Sequence, residues 1–239
     1  MKVFIVSRKI LSELKRLLER EGEVVLLRGN EYLPEPEASH ADMQVYEAGP
    51  GILILKTGFD PDALAKLESL GFTVTLSGSA CAQKYPECAS HNVLRCGNFV
   101  MHKLSATDHA VASDIAAKHL VPVNVSQGYT GCSSVYIDDL DLIVTGDPSV
   151  IKASAANSFN LFKVPETVTE SIALEGLDHG FIGGCCGFDK ADRTLYVSGN
   201  LDRSIPELAE LLLSAGIRIV QADGAGGLAD IGGIKVLRI

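Results

Sequence analysis

Five short runs group side chains able to do covalent or ionic chemistry. They are Ser39-His40-Ala41-Asp42-Met43-Gln44, Ala89-Ser90-His91-Asn92, Tyr129-Thr130-Gly131-Cys132-Ser133-Ser134, Gly176-Leu177-Asp178-His179-Gly180 and the glycine-rich stretch 226–233. Half of the six histidines fall in these runs, and none of the runs contains a lysine or arginine. A thiol becomes a nucleophile beside a proton acceptor, which singles out Cys132 with His179 as its base. Asp178 or Asp42 is expected to orient the imidazole and to bind a cation through paired hydrogen bonds. His40, Gln44, His91, Asn92, Ser133, Ser134 and Asp178 are the accompanying candidates for binding groups. A rival reading takes His40, His91, His179 and Cys132 as metal ligands. Against it, Cys81 and Cys88 lie seven apart and no tight pair of the zinc kind occurs.

These runs share a position in a repeating phrase, each leading into a short strand and a tight reversal. Then come an apolar strand, small or polar residues, a helical stretch and another strand. The apolar strands start near residues 3, 52, 99, 142 and 195, a period of roughly 48 residues. The short preceding strands are expected at Met43–Glu47, Val93–Cys96, Val135–Ile137, Phe181–Gly184 and Ile234–Ile239. Residues 234–239 and 2–6 are apolar strands with no local partner. Their backbone groups are expected to pair with each other and close a ring of five blades.

The helices have ordinary one-sided patterns. Arg8–Glu21 places Ile10, Leu11, Leu14, Leu17 and Leu18 on one face, with Ser7 as the expected N-cap and Gly22 after its end. Asp60-Pro61-Asp62 opens a second helix that stops at Gly71. A third runs from near Asp202–Ser204 to Gly216. Cys185-Cys186, flanked by glycines, is expected at a hairpin turn.

Composition bounds the function. With 239 residues, 46% hydrophobic and 21% charged, the chain is expected to form one α/β domain over residues 1–239. A net charge of −9 argues against nucleic acid or an anionic membrane as partner and favours small cations. Without a long apolar run or a signal-like start, a cytoplasmic protein with reduced cysteines is expected.

A ring of five such repeats with function at the strand entries resembles the pentein fold, the pseudo-symmetric β/α-propeller of the guanidino-group-modifying enzymes. The stretches His40-Ala41-Asp42-Met43-Gln44, Gly131-Cys132-Ser133-Ser134-Val135-Tyr136 and Asp178-His179-Gly180-Phe181-Ile182-Gly183-Gly184-Cys185-Cys186-Gly187 are similar to a bacterial group within that superfamily. The resemblance implies hydrolysis or transfer at a C–N bond of a small guanidino or amidino cation. A cysteine would attack the guanidinium carbon, a histidine would shuttle protons, and no cofactor would be needed. The motifs sit differently here. The family's cysteine follows a Gly-Gly entry to the last strand, where this chain has Gly232-Gly233-Ile234. Its His-x-acid entry is Cys132-Ser133-Ser134 here, and its Glu-Gly-Gly-Asp entry is His91-Asn92. An acid in the first repeat is kept, as Asp42 or Glu47. The alternatives are a ring that binds a small molecule or protein without catalysis, and the metal site. The oligomeric state stays open.

Overall fold

The computed structural model describes residues 1–78, 83–222 and 226–239; Cys81 lies outside them. In chain order, β1 (Lys2–Ser7) leads through α1 (Ser12–Glu19) to β2 (Glu23–Leu27). The second blade is β3 (Val45–Gly49), β4 (Ile52–Leu55), α2 (Pro61–Ser69) and β5 (Thr73–Leu76). The third is β6 (Leu94–Cys96), β7 (Phe99–His102), α3 (His109–Ala117) and β8 (Val121–Asn124). The fourth opens with the single turn α4 (Thr130–Ser133), then β9 (Ser134–Ile137), β10 (Leu142–Thr145), α5 (Pro148–Ala156) and β11 (Asn160–Lys163), trailed by α6 (Glu166–Ser171). The fifth is β12 (Cys186–Asp189), β13 (Thr194–Ser198), α7 (Leu201–Ser204), α8 (Pro206–Ser214) and β14 (Arg218–Ala222), and β15 (Lys235–Arg238) follows.

These strands make five three-stranded sheets. In the last four blades an antiparallel hairpin is followed by a parallel crossover through the helix. The first blade has the same plan with its hairpin partner drawn from the far end of the sequence. β15 runs antiparallel to β1, with Lys2 opposite Arg238 and Ile5 opposite Lys235, and β2 runs parallel on the other side. The five-bladed ring closed by its terminal strands is therefore the observed architecture.

The buried apolar residues lie in seams between blades. Val3, Ile5 and Leu237 pack with Val45, Leu53 and Leu55 between blades one and two. Phe4 and Val6 pack with Tyr196, Ala222 and Ile234 between blades one and five. Three further seams join the remaining neighbours. A strand buried on both faces reads as a near-continuous apolar run, and β1, buried at every residue, is apolar from Val3 to Val6 between Lys2 and Ser7. The last seam is bolted by Lys2, whose Nζ reaches Asp192 at 2.7 Å, Asp189 at 3.0 Å and the Tyr196 hydroxyl at 2.7 Å.

Local expectations need four corrections. α1 starts four residues later than Arg8, and Ser7 is the end of β1 instead of the cap, its Oγ lying 2.6 Å from Ser39 Oγ. Gly22 is required by a close approach and not by a left-handed cap, because a Cβ there would stand 2.4 Å from the Lys2 carbonyl oxygen. The short strand placed at Phe181–Gly184 is displaced to β12, and Gly183–Cys185 form a single 3-10 turn instead. Alternating glycines conceal that shift, since they give no apolar period to read. Cys185 and Cys186 are buried at the start of β12 rather than in a hairpin turn. Among the described residues, no helix is long and apolar enough to cross a membrane.

Candidate active site

The inner strand of each blade faces the ring axis, so the residues just before it gather at one mouth. Their backbones interlock before any side chain is considered. Asp42 N–H donates to the Gly232 carbonyl at 2.9 Å, and Gly131 N–H donates to the Asn92 carbonyl at 3.1 Å. Gly232 has φ +78°, and a Cβ there would stand 2.2 Å from His40 Cβ. Gly183 is as tight, with a Cβ falling 2.2 Å from the Gly131 carbonyl oxygen. Only glycine permits such approaches, so the glycines at these entries pull neighbouring blades together.

Cys132 sits at the centre. Its thiol donates to Asp42 Oδ2 at 2.9 Å, and the Asn92 amide donates to Sγ at 2.9 Å. The other end of the same amide, Asn92 Oδ1, accepts from Cys132 N–H at 2.9 Å. Asn92 thus fixes both the backbone and the sulfur. His40 completes the group: among the described residues, His40, Asp42 and Cys132 have side-chain ligand atoms all within 4.8 Å of one another. Both ring nitrogens of His40 and Asp42 Oδ1 are buried without a hydrogen-bond partner in the protein. Unpaired buried polar atoms are costly, and here three of them crowd around one sulfur.

A cavity of ≈ 330 Å³ opens over this group, lined at depth by Glu37, His40, Cys132 and Asp230. Asp230 accepts from Phe181 N–H at 2.9 Å and Gly232 N–H at 2.8 Å. Burial, and then the nearby Asp42, push its carboxyl up to about 7. Burial also raises Glu37 to about 7 despite the Tyr129 hydroxyl donating to it at 3.4 Å, with Asp42 adding to the rise. Burial, reinforced by Asp42 and Asp230, pushes the Cys132 thiol far up, while burial pulls His40 down. Burial therefore leaves a thiol and acids that resist ionising beside an imidazole that resists protonation. A cation in the cavity eases ionisation of the acids and the thiol and keeps the imidazole neutral.

The other expected residues are distributed around this centre. His179 and Asp178 line the outer part of the cavity. The His179 ring pairs with the Gly180 carbonyl at 3.1 Å and stands edge-on to Phe181, and among the described contacts none joins it to Cys132. His91 and Asp42 face the central channel on the far side of Cys132; His91 Nδ1 lies 3.2 Å from Ser90 Oγ and its Nε2 is unpaired. Gln44 is turned to the backbone, its amide donating to the carbonyls of Ala38 and His40 at 3.0 Å each. Ser133 and Ser134 are buried, with Ser134 Oγ donating to Thr145 Oγ1 at 3.0 Å. Of the four ligands in the metal reading, only His40 and Cys132 come together; Asp42 takes the third place. Two cavity acids were missed. Asp230 stands alone in the fifth glycine-rich run, a position that pointed to it, whereas Glu37 lies in a Pro-Glu-Pro-Glu segment with nothing to mark it as buried.

In overall shape the chain is similar to several solved enzymes. One is a cysteine-to-serine variant of DDAH from Pseudomonas aeruginosa complexed with citrulline, at 12% identity and TM-score 0.59, covering 99% of this chain and 98% of that one. Another is the inosamine-phosphate amidinotransferase StrB1 of Streptomyces griseus, at 14% identity and TM-score 0.54, covering 92% and 75%. A third is SxtG, an amidinotransferase from Microseira wollei, at 11% identity and TM-score 0.52, covering 92% and 88%. No curated protein matches the chain. The likeness shows the fold, a five-bladed β/α-propeller of the pentein type. Residues 5–235 match the family described as "Family of unknown function (DUF6873)", and the chain belongs to that family.

Proposed function

We propose that the protein modifies a guanidinium or amidinium cation by covalent catalysis through Cys132. The observation that carries this reading is the Cys132 thiol, held between Asp42 and Asn92 beneath a cavity containing two buried, charge-starved acids and an unpartnered imidazole. The cation's N–H groups bind Asp230 and Glu37, which ionise as it enters. Its positive charge lowers the thiol towards ionisation. His40 takes the thiol proton, and Sγ attacks the guanidinium carbon. The tetrahedral adduct collapses as the leaving amine takes that proton from His40, leaving an amidino thioester-like cation on Cys132. Water, deprotonated by His40, then attacks the same carbon; the C–S bond breaks and the sulfur recovers a proton. An amine acceptor in place of water would give transfer instead of hydrolysis. His40 holds the role first expected of His179, which becomes part of the cavity wall.

The test is acid-quenched turnover with simple guanidines, followed by intact-mass and peptide mapping. An amidino adduct on Cys132 that decays on dilution is expected. Product formation with the adduct on another cysteine, or with none while Cys132→Ser keeps turning over, overturns the reading. The ligand trio also fits a soft divalent metal. One equivalent of zinc surviving dialysis in the wild type, and lost in His40→Ala, would favour that second reading.

Cation affinity should climb with pH. Glu37 and Asp230 have folded-state values raised to about 7. Their contribution to stability is therefore present below the unfolded carboxylate range and lost as pH rises through 7. A bound cation restores it, so the guanidinium-induced rise in melting temperature should grow between about pH 5 and pH 8 and then level off. Glu37→Gln should remove about one of the protons released on binding, measured by calorimetry in buffers of different ionisation heat. A pH-independent shift would show that these acids do not meet the ligand.

A further inference from the structure

Resting on that reading, we propose that the cavity selects guanidinium or amidinium cations whose far end is an ammonium and which carry no carboxylate. The inner end is set by Glu37 and Asp230, both buried. Outward from these acids the wall becomes apolar, through Tyr129, Phe181 and Leu174, with the Tyr129 and Phe181 rings nearly parallel at 29°. Such a wall suits a short aliphatic chain and gives it nothing to hydrogen-bond. At the rim stands another acid, Asp178, beside His179.

No lysine or arginine lines this cavity among the described residues, and segments 79–82 and 223–225 contain none in sequence. Lys9, close enough to act on His40, is taken up by Glu175 at 3.2 Å and by the Pro36 carbonyl at 3.4 Å. A carboxylate on the ligand would thus sit opposite Asp178 with no charge to pair with. Like charges brought together out of bulk water oppose binding, and this repulsion is a common source of discrimination. An ammonium in the same place meets Asp178 with the opposite sign. Acid at both ends of an apolar passage suits a dication.

Three probes of one chain length separate these contributions: agmatine, n-butylguanidine and arginine. Dissociation constants by calorimetry at pH 8, read beside the Cys132 adduct assay, should place agmatine at least about tenfold tighter than arginine, with butylguanidine between them. Leu177 lies at the exposed rim, 48% accessible, so Leu177→Arg puts a cation there without disturbing a core. That variant should shift the agmatine-to-arginine ratio towards arginine by at least about tenfold. Arginine binding the wild type as tightly as agmatine, with an adduct still formed on Cys132, overturns this inference and leaves the covalent chemistry standing. Failure of all three probes to bind or to mark Cys132 removes both.

Discussion

Cys132→Ser should lower turnover of a guanidine by at least ~10³-fold, because a hydroxyl in this setting is a far poorer nucleophile than a thiol. Binding should persist, because in the proposed mode Glu37 and Asp230, not the sulfur, would hold the cation. His40→Ala is the sharper test of the geometry. With its two unpaired ring nitrogens beside Sγ, His40 should cost about 10²–10⁴-fold in turnover when removed, the range of a lost general base. His179, bonded to its own loop and set at the cavity wall, should cost less than about tenfold and act mainly on binding. Single-turnover rates and dissociation constants measured on the three variants check this. The assignment fails if His179→Ala stops turnover while His40→Ala leaves it intact. Asn92→Ala would be uninformative alone, because its amide secures backbone as well as sulfur.

Deletion of residues 234–239 should abolish cooperative unfolding. The cut removes the ladder along β1 and with it the buried side chains of Ile234 and Leu237. Burial of large aliphatic side chains contributes about 1.5–3 kcal/mol each, and the deletion also exposes Phe4 and Ile5, which are fully buried. The sum rivals the ~5–15 kcal/mol by which domains are stable. Arg238 leaves too, so Asp189 loses its 2.7 Å partner and Lys2 faces a depleted network. Removing Ile239 alone, 45% accessible, supplies the control and should change little. Urea denaturation followed by far-ultraviolet circular dichroism measures both. A six-residue deletion with a midpoint near that of the full chain would mean that blade one stands without its third strand.

The ring could be read from the sequence because its signals are periodic and redundant. β1 and β15 are apolar with no local partner, and the phrase between them returns five times, so an error in one blade is corrected by the other four. The displaced strand at Phe181–Gly184 illustrates this, since β12 still takes the expected place in its sheet. The centre of the site was legible in part. Asp42, Asn92, Cys132 and His40 were identifiable from their place at strand entries, but which histidine meets the thiol was not. His40 and His179 occupy similar positions in their repeats. Only the depth of each loop, set by Gly232 against His40 and by the Gly180 carbonyl against His179, separates them. Glu37 was illegible because its burial comes from blades two to five closing over it, which leaves no mark in a local pattern of prolines and acids. Asp230 was marked by position only, its two backbone donors lying in different blades' loops.

The closure of blade one by β15 also has a consequence in time. During synthesis β1 and β2 leave the ribosome before the rest of the ring, whereas β15, which completes their sheet, follows all the other strands. At about 5–20 residues per second the interval is on the order of tens of seconds. Through it, β1, apolar from Val3 to Val6, presents an open edge and an uncovered seam to neighbouring chains. Blades two to five have no such delay, because their strands are contiguous in sequence. Newly made protein should therefore pass through a horseshoe with four assembled blades and one raw edge.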